Sequence, residues 1–107
     1  MKIKYTYNNE NEETELKQSY RALMIFENIT NKSLELKTTT DIIYYFYSVV
    51  VASSKHYDYL FDDFMDWLDN NQEKLNEFVN WYVEIMEQQN KLSPENKEKN
   101  KGKKSKN

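Results

Sequence analysis

Thr38-Thr39-Thr40-Asp41 leads straight into Ile42-Ile43-Tyr44-Tyr45-Phe46-Tyr47-Ser48-Val49-Val50-Val51-Ala52, and Ser53-Ser54-Lys55 follows. The apolar stretch is rich in β-branched and aromatic residues, so propensity alone favours a strand. Its length, the cluster of N-cap residues before it and the polar stop after it favour a helix. A helix apolar on every side belongs at the centre of a core. The stretch is also far short of the roughly 20 residues that a membrane span needs.

The flanking elements are amphipathic. Upstream, Ala22, Ile25, Phe26 and Ile29 fall at i, i+3, i+4 and i+7, the stripe of a helix beginning near Ser19. Tyr20, Leu23 and Met24 widen that stripe, leaving Arg21, Glu27 and Asn28 for solvent. Asn31 stands where a left-handed residue would end the helix. Leu34 to Lys37 is expected to be a brief extended link or a third short strand. Downstream, Leu60, Phe61, Phe64, Met65, Trp67 and Leu68 span about 160° of one helix, with Asp62, Asp63, Asp66 and Asp69 on the remaining arc. A last helix is expected from Gln72 to Gln89. Its residues Leu75, Phe78, Val79, Trp81, Tyr82, Val83, Ile85 and Met86 cover roughly 200°, more than packing on one core requires.

The N-terminus has a different period. Lys2-Ile3-Lys4-Tyr5-Thr6-Tyr7 alternates, placing Ile3, Tyr5 and Tyr7 on one face of a strand. Asn8-Asn9-Glu10-Asn11 supplies turn chemistry, and a shorter strand over Thr14 to Gln18 is expected to close a hairpin. A lone hairpin is marginal in water, so it must lie on the helices. The expected fold is therefore α+β, mainly α: an N-terminal β-hairpin packed on a bundle of about four helices, one domain over residues 1–92. Residues 93–107 are rich in Lys and Asn and are expected to form a disordered tail.

The 107 residues contain 15 basic and 18 acidic side chains, no Cys, one Gly and one Pro. The charge is unevenly placed. Residues 91–107 hold seven Lys and two Glu, which leaves eight basic against sixteen acidic residues in the first 90. Both Gly102 and Pro94 lie in that tail. Glycine-rich phosphate loops are thereby excluded from the body, and disulfides and Cys metal sites from the whole chain. An acidic body is a poor general binder of nucleic acid. Met1 to Tyr7 lacks the apolar run of a signal peptide, and a cytoplasmic protein is expected.

No residue pattern points to catalysis, a cofactor or a metal. Asp58, Asp62, Asp63, Asp66 and Asp69 lack the Gly turn and terminal Glu of a calcium loop and read as a solvated face. His56, the only His, reads as an ordinary loop residue. The nine Tyr and two Trp read mostly as core. Two helices with surplus apolar surface, however, suggest a partner, either a second copy or another chain. Met65, Trp67, Trp81, Tyr82 and Met86 are the expected contacts, since Trp anchors and adaptable Met suit such surfaces.

Three stretches together carry a resemblance. Arg21-Ala22-Leu23-Met24-Ile25-Phe26-Glu27-Asn28-Ile29-Thr30-Asn31-Lys32-Ser33 resembles the "RAL…E…TGKS" segment of tail assembly chaperones from tailed phages and prophages. Phe61-Asp62-Asp63-Phe64-Met65-Asp66-Trp67-Leu68-Asp69 resembles their "tFdeFidwLd" helix, and Gln88 to Glu95 is similar to the family's end. Asn31 stands where the family usually has Gly, which keeps the helix-stop logic. The resemblance implies a non-enzymatic role in the host cytoplasm: coating the tape measure protein, a long and partly hydrophobic helix, until tail tube subunits polymerise around it. In many relatives a ribosomal frameshift makes a longer form that recruits tail tube protein. The resemblance leaves a homo-oligomer open, and it implies no membrane and no specific nucleic acid. The expectation from another class is an acidic DNA mimic that binds a basic host protein, although one acidic helix is thin for mimicry.

Overall fold

The computed structural model describes residues 1–92, with side chains to Gln89. The expected tail over 93–107 lies outside the described residues. Two strands, β1 (Lys2–Tyr7) and β2 (Glu10–Glu15), precede four helices, α1 (Tyr20–Thr30), α2 (Thr39–Ser54), α3 (Phe61–Asp69) and α4 (Glu73–Leu92). The fold is α+β and mainly α, as expected.

β1 and β2 form an antiparallel hairpin in which Lys2 faces Glu15 and Tyr7 faces Glu10. The turn is shorter than the sequence suggests. Asn8 and Asn9 both have positive φ, 51° and 65°, so two residues reverse the chain. β2 therefore occupies Glu10–Glu15 and not the expected Thr14–Gln18. Its acidic residues have low strand propensity, but the turn sets the register. That register puts Lys2 and Lys4 opposite Glu15 and Glu13 on the solvent face. Ile3, Tyr5 and Thr14 are buried on the other face.

α2 is the central element. Tyr45 to Ala52 are all buried, including Ser48, whose hydroxyl donates to the Tyr44 carbonyl at 2.8 Å. The neighbours of α2 supply aromatic rings from every side. Phe46 stacks on Phe78 of α4 with centroids 4.3 Å apart, Tyr44 stacks on Phe61 of α3 at 4.8 Å, and Phe26 of α1 meets Tyr45 edge-on at 6.0 Å. Such pairs add directional preference to area burial. The Tyr47 hydroxyl donates to the Tyr59 carbonyl, so its polar tip is satisfied inside the core.

The helix ends follow local chemistry. Ser19 caps α1, and Asn31 ends it with φ 57°, its N–H donating to the Glu27 carbonyl. At α2, Thr38 Oγ1 accepts from Asp41 N–H at 3.1 Å while the Asp41 carboxylate accepts from Thr38 N–H at 3.2 Å, a reciprocal capping box. Residues 33–37 form no strand. Leu34 and Leu36 turn inward and pack half-buried on the core.

Asp41 is buried and also accepts from Lys32 Nζ at 2.6 Å and from Lys37 N–H at 3.1 Å. The Lys32 ammonium, chiefly, and the two backbone N–H groups hold its carboxyl down at about 2, against the opposing effect of burial. A carboxyl depressed in the folded state stabilises above its unfolded value near 4, and that contribution is lost as pH falls toward 2. Asp41→Asn should therefore be clearly less stable than wild type at pH 6, with the gap closing between about pH 4 and pH 2. Urea midpoints of the two proteins across that range check this. A gap independent of pH would show that the ion pair contributes nothing.

Candidate functional site

The five residues expected to meet a partner have different surroundings. Trp67 leans on Phe46 and Phe64, and its Nε1–H donates to the Lys4 carbonyl at 2.7 Å. In a hairpin closed by two residues, Lys2, Lys4 and Thr6 direct their backbone groups away from β2. Trp67 thus covers the unpartnered edge of β1. Trp81 lies against Phe78 and lines a shallow hollow with Met1 and Lys2. Met65 is half-buried against the core. Tyr82 and Met86 line one groove together, on one side of α4.

Those two side chains form one wall of an open groove of about 560 Å³. Tyr20 and Leu23 of α1 form the other wall, Leu34 closes one side and Tyr45 lies at the floor. Tyr82 meets Tyr45 edge-on at 5.6 Å. Burial pushes the Tyr45 hydroxyl up to about 12, with Tyr82 adding to the effect, so the floor stays neutral at ordinary pH. Gln18 spans one end, with its Nε2 3.9 Å from Met86 Sδ and its Oε1 accepting from Gln89 Nε2 at 3.4 Å.

The walls are unusually open for apolar side chains. Tyr20 is 87% exposed and Met24, one turn further along α1, is 62% exposed. Both were expected to widen the core stripe. Instead α1 docks on α2 through Ala22 and Phe26, which are buried, and its Tyr20–Met24 side faces solvent. The signal was present in the sequence: the apolar arc of α1, like that of α4, is wider than one core contact needs. Val83 and Met86 continue the exposed surface on α4.

A second hollow of about 580 Å³ lies beside Trp67, but Asn8, Asn9, Asp63, Asp66, Asn70 and Asn71 line most of it. An apolar group placed there would desolvate amides and carboxylates without replacing their hydrogen bonds. The α1/α4 groove has the opposite character.

The other candidate residues have local roles. His56 stacks on Tyr7 with centroids 4.0 Å apart and lies 3.2 Å from Glu12 Oε1 through Nε2. The Tyr7 hydroxyl donates to Asp58. These contacts tie the hairpin to the α2–α3 connection. Asp62, Asp63, Asp66 and Asp69 make no ion pair among the described residues, and no group of three or more His, Asp or Glu there is placed to hold a metal. No helix among the described residues is long and apolar enough to cross a membrane. Comparison with family models, curated proteins and solved structures gives no match for the chain.

Proposed function

We propose that this protein is a tail assembly chaperone that acts without catalysis in the cytoplasm of a bacterial host, holding the tape measure protein soluble until tail tube subunits surround it. The observation that carries this is the open groove of Tyr20, Leu23, Leu34, Tyr82 and Met86 on an acidic body. A chaperone for an apolar helix must keep apolar surface accessible without aggregating, and net negative charge opposes self-association. The ordered similarity of Arg21–Ser33, Phe61–Asp69 and Gln88–Glu95 to the chaperone family supports the same reading. In this proposal a longer frameshifted form contacts tail tube protein.

Coexpression with a tape measure protein from the phage or prophage that carries the chain tests the proposal. The expected result is a tape measure protein that moves from the insoluble to the soluble fraction and copurifies with the chain. A tape measure protein equally insoluble with and without the chain would overturn the proposal. Salt-sensitive capture of a basic host protein in its place would favour the DNA mimic.

A further inference from the structure

The α1/α4 groove has dimensions and charge that narrow what can occupy it. Its α4 wall, from Tyr82 through Met86 to Gln89, repeats at i, i+4 and i+7, a length of about 10 Å or two helical turns. Tyr20 and Leu23 oppose it at i and i+3 on α1. Two antiparallel or crossing ridges of this kind receive side chains spaced by one helical turn. A volume of about 560 Å³ accommodates a few large apolar side chains and not an extended apolar surface.

Charge then separates the candidates. Over its described side chains α4 carries Glu73, Glu77, Glu84 and Glu87 against Lys74, and α1 carries Glu27 against Arg21. Lys74 is already engaged with Glu77 at 3.2 Å, and Glu84 faces the hollow by Trp81, whereas Glu27 and Glu87 make no ion pair among the described residues. Glu27 lies one turn beyond Leu23, and Glu87 directly follows Met86. A second copy would bring its own acidic α4 against this one, a repulsive arrangement, while a basic partner gains at the rim.

We propose that the groove binds a basic amphipathic helix, with large apolar side chains at i, i+4 and i+7 in the groove and Lys or Arg beside Glu27 and Glu87. The proposal rests on the chaperone reading for the presence of a helical partner, and adds its docking site and chemistry. Tyr20 and Met86 are exposed enough that replacing them leaves the core untouched, which makes them clean probes.

The test uses three labelled peptides of about 15 residues, long enough for a helix once bound: a Leu/Lys helix with the spacing above, a Leu/Glu helix with the same spacing, and a scrambled Leu/Lys peptide of equal charge. Fluorescence anisotropy at physiological salt should rank the Leu/Lys helix first, with the other two at least about tenfold weaker. Tyr20→Ser and Met86→Ser should each weaken it by about tenfold, while Leu60→Ser, exposed but outside the groove, should not. The methyl NMR signals of Met24 and Met86 should move on binding and that of Met65 should stay. Equal binding of the scrambled or Leu/Glu peptide overturns the proposal, as does no binding at all. Self-association abolished by Tyr20→Ser and Met86→Ser also overturns it, in favour of a second copy. Capture of the tape measure protein by both Ser variants would retain the chaperone reading and remove the groove from it. Peptide binding without tape measure capture would do the reverse.

Discussion

Phe46→Ala should lower the stability of this protein by about 3–5 kcal/mol, the range for emptying a fully buried aromatic site. Phe46 has no exposed surface, stacks on Phe78 at 4.3 Å and meets Phe64 and Trp67 edge-on at 5.2 and 5.9 Å. It is therefore the ring through which α2, α3 and α4 touch. Its loss forfeits the transfer free energy of a phenyl group and leaves a cavity whose rigid aromatic walls relax poorly. Domains of this size have a total stability of about 5–15 kcal/mol, so a large fraction of the molecules should be unfolded in mild denaturant. Urea titration followed by circular dichroism gives the measurement. Tyr20→Ala, on a side chain 87% exposed, should stay within about 0.5 kcal/mol of wild type and serves as the control. A loss below about 1 kcal/mol for Phe46→Ala would mean that the helices do not converge on this ring.

The second large effect separates a structural tryptophan from a binding one. Trp67→Ala should cost about 2–3 kcal/mol, somewhat below the value for a fully buried Trp because the ring is only partly buried. Trp67→Phe keeps much of the packing on Phe46 and Phe64 but loses the Nε1–H bond to the Lys4 carbonyl, and should cost about 1 kcal/mol. The two variants should also differ in where they loosen the molecule. Amide hydrogen exchange in β1 and β2 should accelerate strongly in Trp67→Ala and modestly in Trp67→Phe, because the indole holds α3 against the hairpin edge. If both variants keep wild-type stability, Trp67 is not a fastener and becomes a candidate contact for a partner.

These two residues show what periodicity conveys. Thr38-Thr39-Thr40-Asp41 followed by an all-round apolar run marked a buried helix, and α2 is that helix because the capping box and the rings around it act together. Asn31 marked a helix end, and it adopts the left-handed conformation there. Lys55, with φ 64° at the end of α2, gave no such signal, since Lys has no special affinity for that region. The boundary of β2 was misplaced for a related reason. Asn8-Asn9 was recognisable as turn chemistry, but the register that follows depends on both residues having positive φ.

The candidate site was only half visible. A helical wheel gives the angle of each side chain about its own axis and leaves open which neighbour meets that angle. Trp67 and Trp81 have the composition of binding anchors, yet one is held at the edge of β1 and the other lies between Phe78 and the hollow by Met1 and Lys2. Tyr20 and Met24 have the composition of core, yet they face solvent because α1 uses its Ala22–Phe26 side to reach α2. Local chemistry along the chain determined the hairpin, the four helices, the caps at Ser19, Asn31 and Thr38 and the choice of α2 as the centre, since these depend on residues a few positions apart. Only the tertiary structure brought Tyr20 and Leu23, Leu34, and Tyr82 and Met86 into one open groove, because that requires three separate segments to dock on α2 and still leave their surplus apolar faces side by side.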